Sequence, residues 1–143
     1  MVKQVGVVML GVLLLLSDSA RAQETEHFTA LVTDSQEVKT EMKHMRLYWE
    51  EKVSETSFVP HEVTHVPVKR GAATVTIPFK KIHKIDVKPD GASPAKALPV
   101  LVIALRDGKT GEFPLALEAS LIGTSDFGEI RVALKDLRTV VFK

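Results

Sequence analysis

Five residues spell a catalytic motif: His61-Glu62-Val63-Thr64-His65 is an H-E-x-x-H. On a helix, this spacing sets two imidazoles one turn apart to ligate Zn²⁺, while the Glu acts as general base on the metal-bound water. The chemistry requires the helix. Here Pro60 precedes the first His and Pro67 follows the second by two residues. Val63 and Thr64 are β-branched, and Val66 and Val68 continue an extended pattern. Pro60 could open a helix, but Pro67 would end it within two turns. A strand places His61 and His65 on one face but about 13 Å apart, too far to share one metal. No obvious third ligand follows, His83 being the only later histidine. The motif reads as a chance occurrence in an extended edge segment. A small zinc-dependent hydrolase using His61, Glu62 and His65 is the competing hypothesis, and if any metal binds, these histidines are its expected ligands.

The same region holds a second cluster, Tyr48, Trp49, Phe58, His61 and His65. The chain has one Trp and one Tyr, and they are adjacent. In a strand they point to opposite faces, so one packs inward and the other contacts solvent, a ligand or a partner. These five residues are the expected binding site. Lys69-Arg70 and Lys80-Lys81-His83-Lys84 form basic groups beside tight turns. They read as a solvated face that blunts edge pairing rather than as an anionic site. Ser120 and Ser125 lack a G-x-S-x-G setting, and no Gly-rich loop follows a strand to open a helix. Asp126 and Glu129 sit where a turn is expected. No catalytic residue and no cofactor is expected.

The elements that must position these side chains are strands. In the C-terminal stretch Phe127–Phe142, apolar residues step by two (Ile130, Val132, Leu134), then continue at Leu137, Val140 and Phe142. Period two marks a strand facing a core. The step of three marks one 3₁₀ turn before a closing strand. Fifty-five residues upstream, Val75, Ile77, Phe79, Ile82, Ile85 and Val87 show the same order. The reading is therefore two degenerate repeats sharing one core: 28–87, with an insertion at 50–70, and 99–142, joined by a linker at 88–98. The expected fold class is all-β, a small barrel or sandwich with SH3-like strand–3₁₀–strand endings.

Further expectations follow along the chain. His27–Thr33 is a strand. Val38, Met42, Met45 and Trp49 have helical spacing, yet Val38–Trp49 is read as a strand because its neighbours are strands and Lys39-Thr40-Glu41-Met42 resembles the Gly-containing hairpin at Lys109–Phe113. Glu50–Thr56 is a loop and Phe58–Lys69 an extended edge. Val100–Leu105 is a strand buried on both faces. Phe113–Leu121 is one long strand, and Gly123–Phe127 is a turn.

Residues 1–22 read as a signal peptide: Lys3, an apolar run from Val5 to Leu16, and Ala20-Arg21-Ala22 as cleavage site. Cleavage leaves 121 of the 143 residues, enough for one modest core, with 17 basic and 17 acidic residues. A neutral chain lacks the field for non-specific nucleic-acid binding. The chain contains no Cys, which excludes disulfides, thiol catalysis and Cys-ligated metals. An exported domain, periplasmic or extracellular and with no membrane span after cleavage, is expected.

The second half resembles the closing module of uncharacterised exported bacterial small β-barrel proteins. It carries a hairpin with Asp107-Gly108, then Gly123 to Glu129, then Leu137-x-x-Val140-x-Phe142. The resemblance covers about a third of the chain and implies no activity. The expected function is a non-enzymatic exported β-domain that binds a protein or small molecule through its inserted segment. A structural or assembly role by strand addition at the Val59–Val68 edge is a further alternative.

Overall fold

Alternation of apolar and polar residues over short segments, with turn residues between them, produces strands throughout. The computed structural model describes residues 27–88 and 98–143. The expected signal peptide and nearly all of the expected linker lie outside the described residues. Eleven strands follow in order: β1 (Ala30–Asp34), β2 (Lys39–Lys52), β3 (Phe58–Val63), β4 (His65–Arg70), β5 (Ala73–Pro78), β6 (Ile82–Val87), β7 (Val100–Leu105), β8 (Thr110–Pro114), β9 (Ser120–Ser125), β10 (Gly128–Ala133) and β11 (Leu137–Phe142). Two 3₁₀ turns, Phe79–Lys81 and Leu134–Asp136, precede β6 and β11. The described residues contain no α-helix and the fold is all-β, compatible with a small barrel or sandwich.

Every ladder is antiparallel. The main sheet runs β10-β9-β2-β1-β11-β6-β7-β8, with β3 added to β2, while β4 and β5 pair separately. A single bridge, Val68 to Leu115, links β4 to the chain just after β8. One core fills the interior, including Met42, Met45, Leu47, Phe79, Leu101, Ile103, Leu134, Val140 and Phe142. Phe79 is fully buried, with Phe28 edge-on at 5.5 Å and Phe142 tilted at 5.3 Å.

The ladders repeat in register. Fifty-five residues separate equivalent positions of β4–β5 and β9–β10: His65 faces Pro78 as Ser120 faces Ala133, and Arg70 faces Ala73 as Ser125 faces Gly128. Both 3₁₀ turns are entered at φ −64°, ψ 141°. Phe79 N–H donates to Thr64 O as Leu134 N–H donates to Ala119 O. A spacing of seventy-one relates β1–β2 to β7–β8, where Ala30 faces Met42 as Leu101 faces Phe113. Ile85 on β6 directly faces Val140 on β11. The difference between the two spacings is chain present only in the first half. It comprises one bulge residue on β2 and an arm from Trp49 to Val63.

Several local expectations are corrected. β1 starts at Ala30, not His27. Val38–Trp49 is extended, and β2 runs on to Lys52, so Glu50–Lys52 is not loop. The helix-like spacing has a physical source. The ladder slips between Lys43 and Arg46, and His44 takes φ 53°, so Met42 and Met45 both face the core, three residues apart. Phe58–Lys69 forms two strands that part at Thr64, and Pro67 is buried rather than at an open edge, its carbonyl accepting from Ala116 N–H. In β7 only Leu101 and Ile103 are fully buried, because the other face is partly open. The expected strand 113–121 breaks at Leu115–Ala119, where the chain leaves β7 and crosses to β2. Gly123 lies within β9, and the turn is Asp126–Phe127. A Cβ on Gly123 would meet the Lys43 carbonyl at 2.8 Å, so glycine lets the bulged strand approach.

Candidate functional site

The arm is a β-hairpin formed by the end of β2 and β3. Trp49 faces His61, Tyr48 faces Glu62, and Lys52 faces Phe58. Directly opposed residues share a face, so the pairing itself stacks Trp49 on His61, with centroids 4.2 Å apart and planes 14° apart. His61 Nε2 is shielded from solvent, and its nearest charged neighbour is Glu51 Oε1 at 3.4 Å, outside hydrogen-bond alignment.

The opposite face is polar. Arg46 donates to Glu62 Oε1 at 2.7 Å. Tyr48 Oη donates to Glu50 Oε1 at 2.6 Å, which raises the phenol's pKa above its ordinary value; desolvation and the Glu50 charge add to the effect. From β10 the Arg131 guanidinium sits 4.3 Å from the centre of the Tyr48 ring, a cation–π contact. The turn at the arm's tip, Ser54-Glu55-Thr56-Ser57, is polar, and it is flanked by Val53, Phe58 and Val59, which are 54, 53 and 41% exposed.

Beside the base of the arm opens a cleft of about 390 Å³. Tyr48, Trp49 and Glu50 form one side; Glu118, Arg131 and Lys135 bring charge, and Leu98, Leu115 and Leu134 are apolar. At the counterparts of Pro99 and Leu134 the first half holds Phe28 and Phe79, whose rings pack together. Smaller side chains in the second half leave room. The set offers aromatic faces, an apolar floor and both signs of charge, which is the equipment of a binding cleft.

Of the five expected site residues, Trp49, Phe58 and His61 lie on the arm and Tyr48 adjoins its base, and Tyr48 and Trp49 reach the cleft. His65 does not join them; it opens β4 opposite Pro78. The H-E-x-x-H residues are therefore divided. His61 stacks on Trp49, Glu62 pairs with Arg46 on the other face, and His65 belongs to another ladder. This arrangement does not suit zinc, which needs convergent ligands, and among the described residues no three His, Asp or Glu side chains converge. Of the basic groups, Lys80, Lys81 and His83 are exposed and Lys84 lies 3.5 Å from Asp86.

Sequence reasoning missed Glu118, Arg131 and Lys135. They are far from the arm in the chain, and only the pairing of β9 with both β2 and β10 brings them to it. No curated protein and no solved structure matches the chain. A family model described as "Uncharacterised protein" matches residues 50–143, well over half of the sequence, and the chain belongs to that family.

Proposed function

We propose that the protein is a non-enzymatic exported β-domain that binds a protein or small-molecule partner through the arm and the adjoining cleft. One observation carries this reading. The arm has no counterpart in the second half, yet it holds the only Trp, with Tyr48, the only Tyr, adjoining its base, and both border the cleft. Chain that the frame does without, bearing large aromatic side chains beside a cleft, is the pattern of a recognition loop on a rigid scaffold. The equivalent ladders support reading that scaffold as two degenerate repeats, akin to the exported bacterial barrels that its second half resembles. The leader-like residues 1–22 support export.

A second reading is strand addition along β3. β3 pairs only with β2, and its outer edge carries the exposed Phe58 and Val59. Pro60 lacks an N–H and blunts that edge, so the cleft is preferred.

Immobilised chain 23–143 should capture partners from an extract of the source cells. Bound material should be lost when Trp49–Val63 is replaced by a short connector, and reduced by Arg131→Glu. Because Trp49 is the sole indole, its emission should shift on binding. Capture that survives removal of the arm would sink the cleft reading. Loss on Val59→Pro, with Arg131→Glu binding normally, would favour strand addition.

A further inference from the structure

Strand β5, Ala73-Thr74-Val75-Thr76-Ile77-Pro78, pairs on one side only, with β4. Its other edge meets no backbone partner among the described residues. A proline fixes which groups that edge presents. Thr76 faces Pro67 of β4, which has no N–H to give. The Pro67 carbonyl turns the other way and accepts from Ala116 N–H at 3.0 Å. Thr76 therefore holds a non-hydrogen-bonded place in the ladder, with both of its backbone groups pointing away from β4. Alternation extends this to Thr74 and Pro78. The open edge thus offers the N–H and C=O of Thr74 and Thr76. It is also uncharged. Among the described strands at a sheet end, β3 carries Glu62, β8 carries Glu112, and β10 carries Glu129 and Arg131, whereas β5 has no charged residue. β10 is the internal comparison. Its Glu129 and Arg131 stand at the places equivalent to Thr74 and Thr76, in a strand of the same burial pattern. The nearest cation to the β5 edge, Lys69, lies on β4 and donates to Thr74 Oγ1 at 3.2 Å. Charged side chains on an edge oppose pairing with another chain, and an edge strand without them is a template for it.

We propose that two copies of the chain associate through β5, joining their β4–β5 ladders into one antiparallel sheet. The strand is complementary to itself. A two-fold through Val75 sets Val75 opposite Val75, Thr74 opposite Thr76 and Ala73 opposite Ile77 of the second copy. Thr74 and Thr76 then exchange both of their outward backbone bonds, and the two-fold repeats the exchange. The Thr–Thr pairs lie on the solvent face. Val75 and Ile77, half-buried against the core, continue the apolar face across the junction. Moving the two-fold to Thr76 would set Thr74 opposite Pro78, whose missing N–H leaves the Thr74 carbonyl unpaired.

The contact uses neither the arm nor the cleft, so it stands or falls apart from the binding reading. Sedimentation equilibrium of chain 23–143 over a range of concentrations should show a monomer–dimer equilibrium that limits at twice the monomer mass. Thr76→Pro should weaken association at least about tenfold, because it removes an outward N–H that the β4 ladder does not use. Two charge variants test the register. Thr74→Glu with Thr76→Glu opposes like charges and should abolish the dimer. Thr74→Glu with Thr76→Lys opposes unlike charges and should keep it. Circular dichroism would verify that each variant folds. A monomer at every concentration, a mass that climbs past the dimer, or equal association in the two charge variants would overturn the proposal.

Discussion

Phe79 and Leu134 occupy equivalent positions in the two halves, each buried at the entry of a 3₁₀ turn. Their truncation to Ala should cost about 2–5 kcal/mol each, with Phe79→Ala the larger because it also loses its contacts with Phe28 and Phe142. Shifts in denaturant midpoint would measure this, and a near-zero loss would place the residue outside the core. Tyr48 gives a pH-dependent test. Its pKa is raised above 10.0, first by the hydrogen bond to Glu50. A folded-state value above the unfolded one means that this contribution is whole below the unfolded pKa and is lost as pH rises through the folded one. Glu50→Gln should lower the Tyr48 pKa. As the only tyrosine, its phenolate absorbance reports this position alone. An unchanged titration would mean that the Glu50 bond does not govern the phenol.

Among the elements, the arm and the bulge are the additions that distinguish the first half. The second half passes from Leu115 to Ser120 without an arm, and its ladders keep the same register. Replacing Trp49–Val63 with a connector of that kind should therefore leave the sheet folded, with a thermal transition that stays cooperative. Collapse of the near-ultraviolet signals of the remaining aromatics would show that the arm is structural. Gly123 tests the bulge. Its Cβ would strike the Lys43 carbonyl, so Gly123→Ala should destabilise by about 1–3 kcal/mol. No atom lies within 4 Å of a Cβ at Gly71, so Gly71→Ala there meets only its φ of 62°.

At the scale of the whole molecule, the two halves bury one continuous core and meet through β6 and β11. Unfolding should be a single transition, with fluorescence and circular dichroism coinciding. Residues 98–143 alone would expose the core faces of β7 and β11 and should remain unfolded. The divided H-E-x-x-H gives one more expectation. Chelator should leave the melting temperature unchanged, since no zinc binding is linked to folding. A fall on chelation, with stoichiometric zinc in the purified protein, would restore the hydrolase hypothesis.

What the sequence determined by itself was local. Period-two alternation identified the strands before each 3₁₀ turn, and the step of three identified the turns, because side-chain direction along a strand depends only on neighbouring residues. The prolines around His61–His65 similarly denied a helix, through the fixed φ and missing N–H of the residue itself. Tertiary structure decided what rests on pairing between distant segments. The bulge at Lys43–His44 gave Met42 and Met45 a helical spacing inside a strand, and no local pattern distinguishes the two. The break at Leu115–Ala119 was hidden because alternation persists through a connector that leaves β7 and crosses to β2. The cleft was out of reach for the same reason. Arg131 meets Tyr48 only because β9 pairs with β2 on one side and β10 on the other, and that neighbourhood is set by burying a shared core rather than by any spacing along the chain.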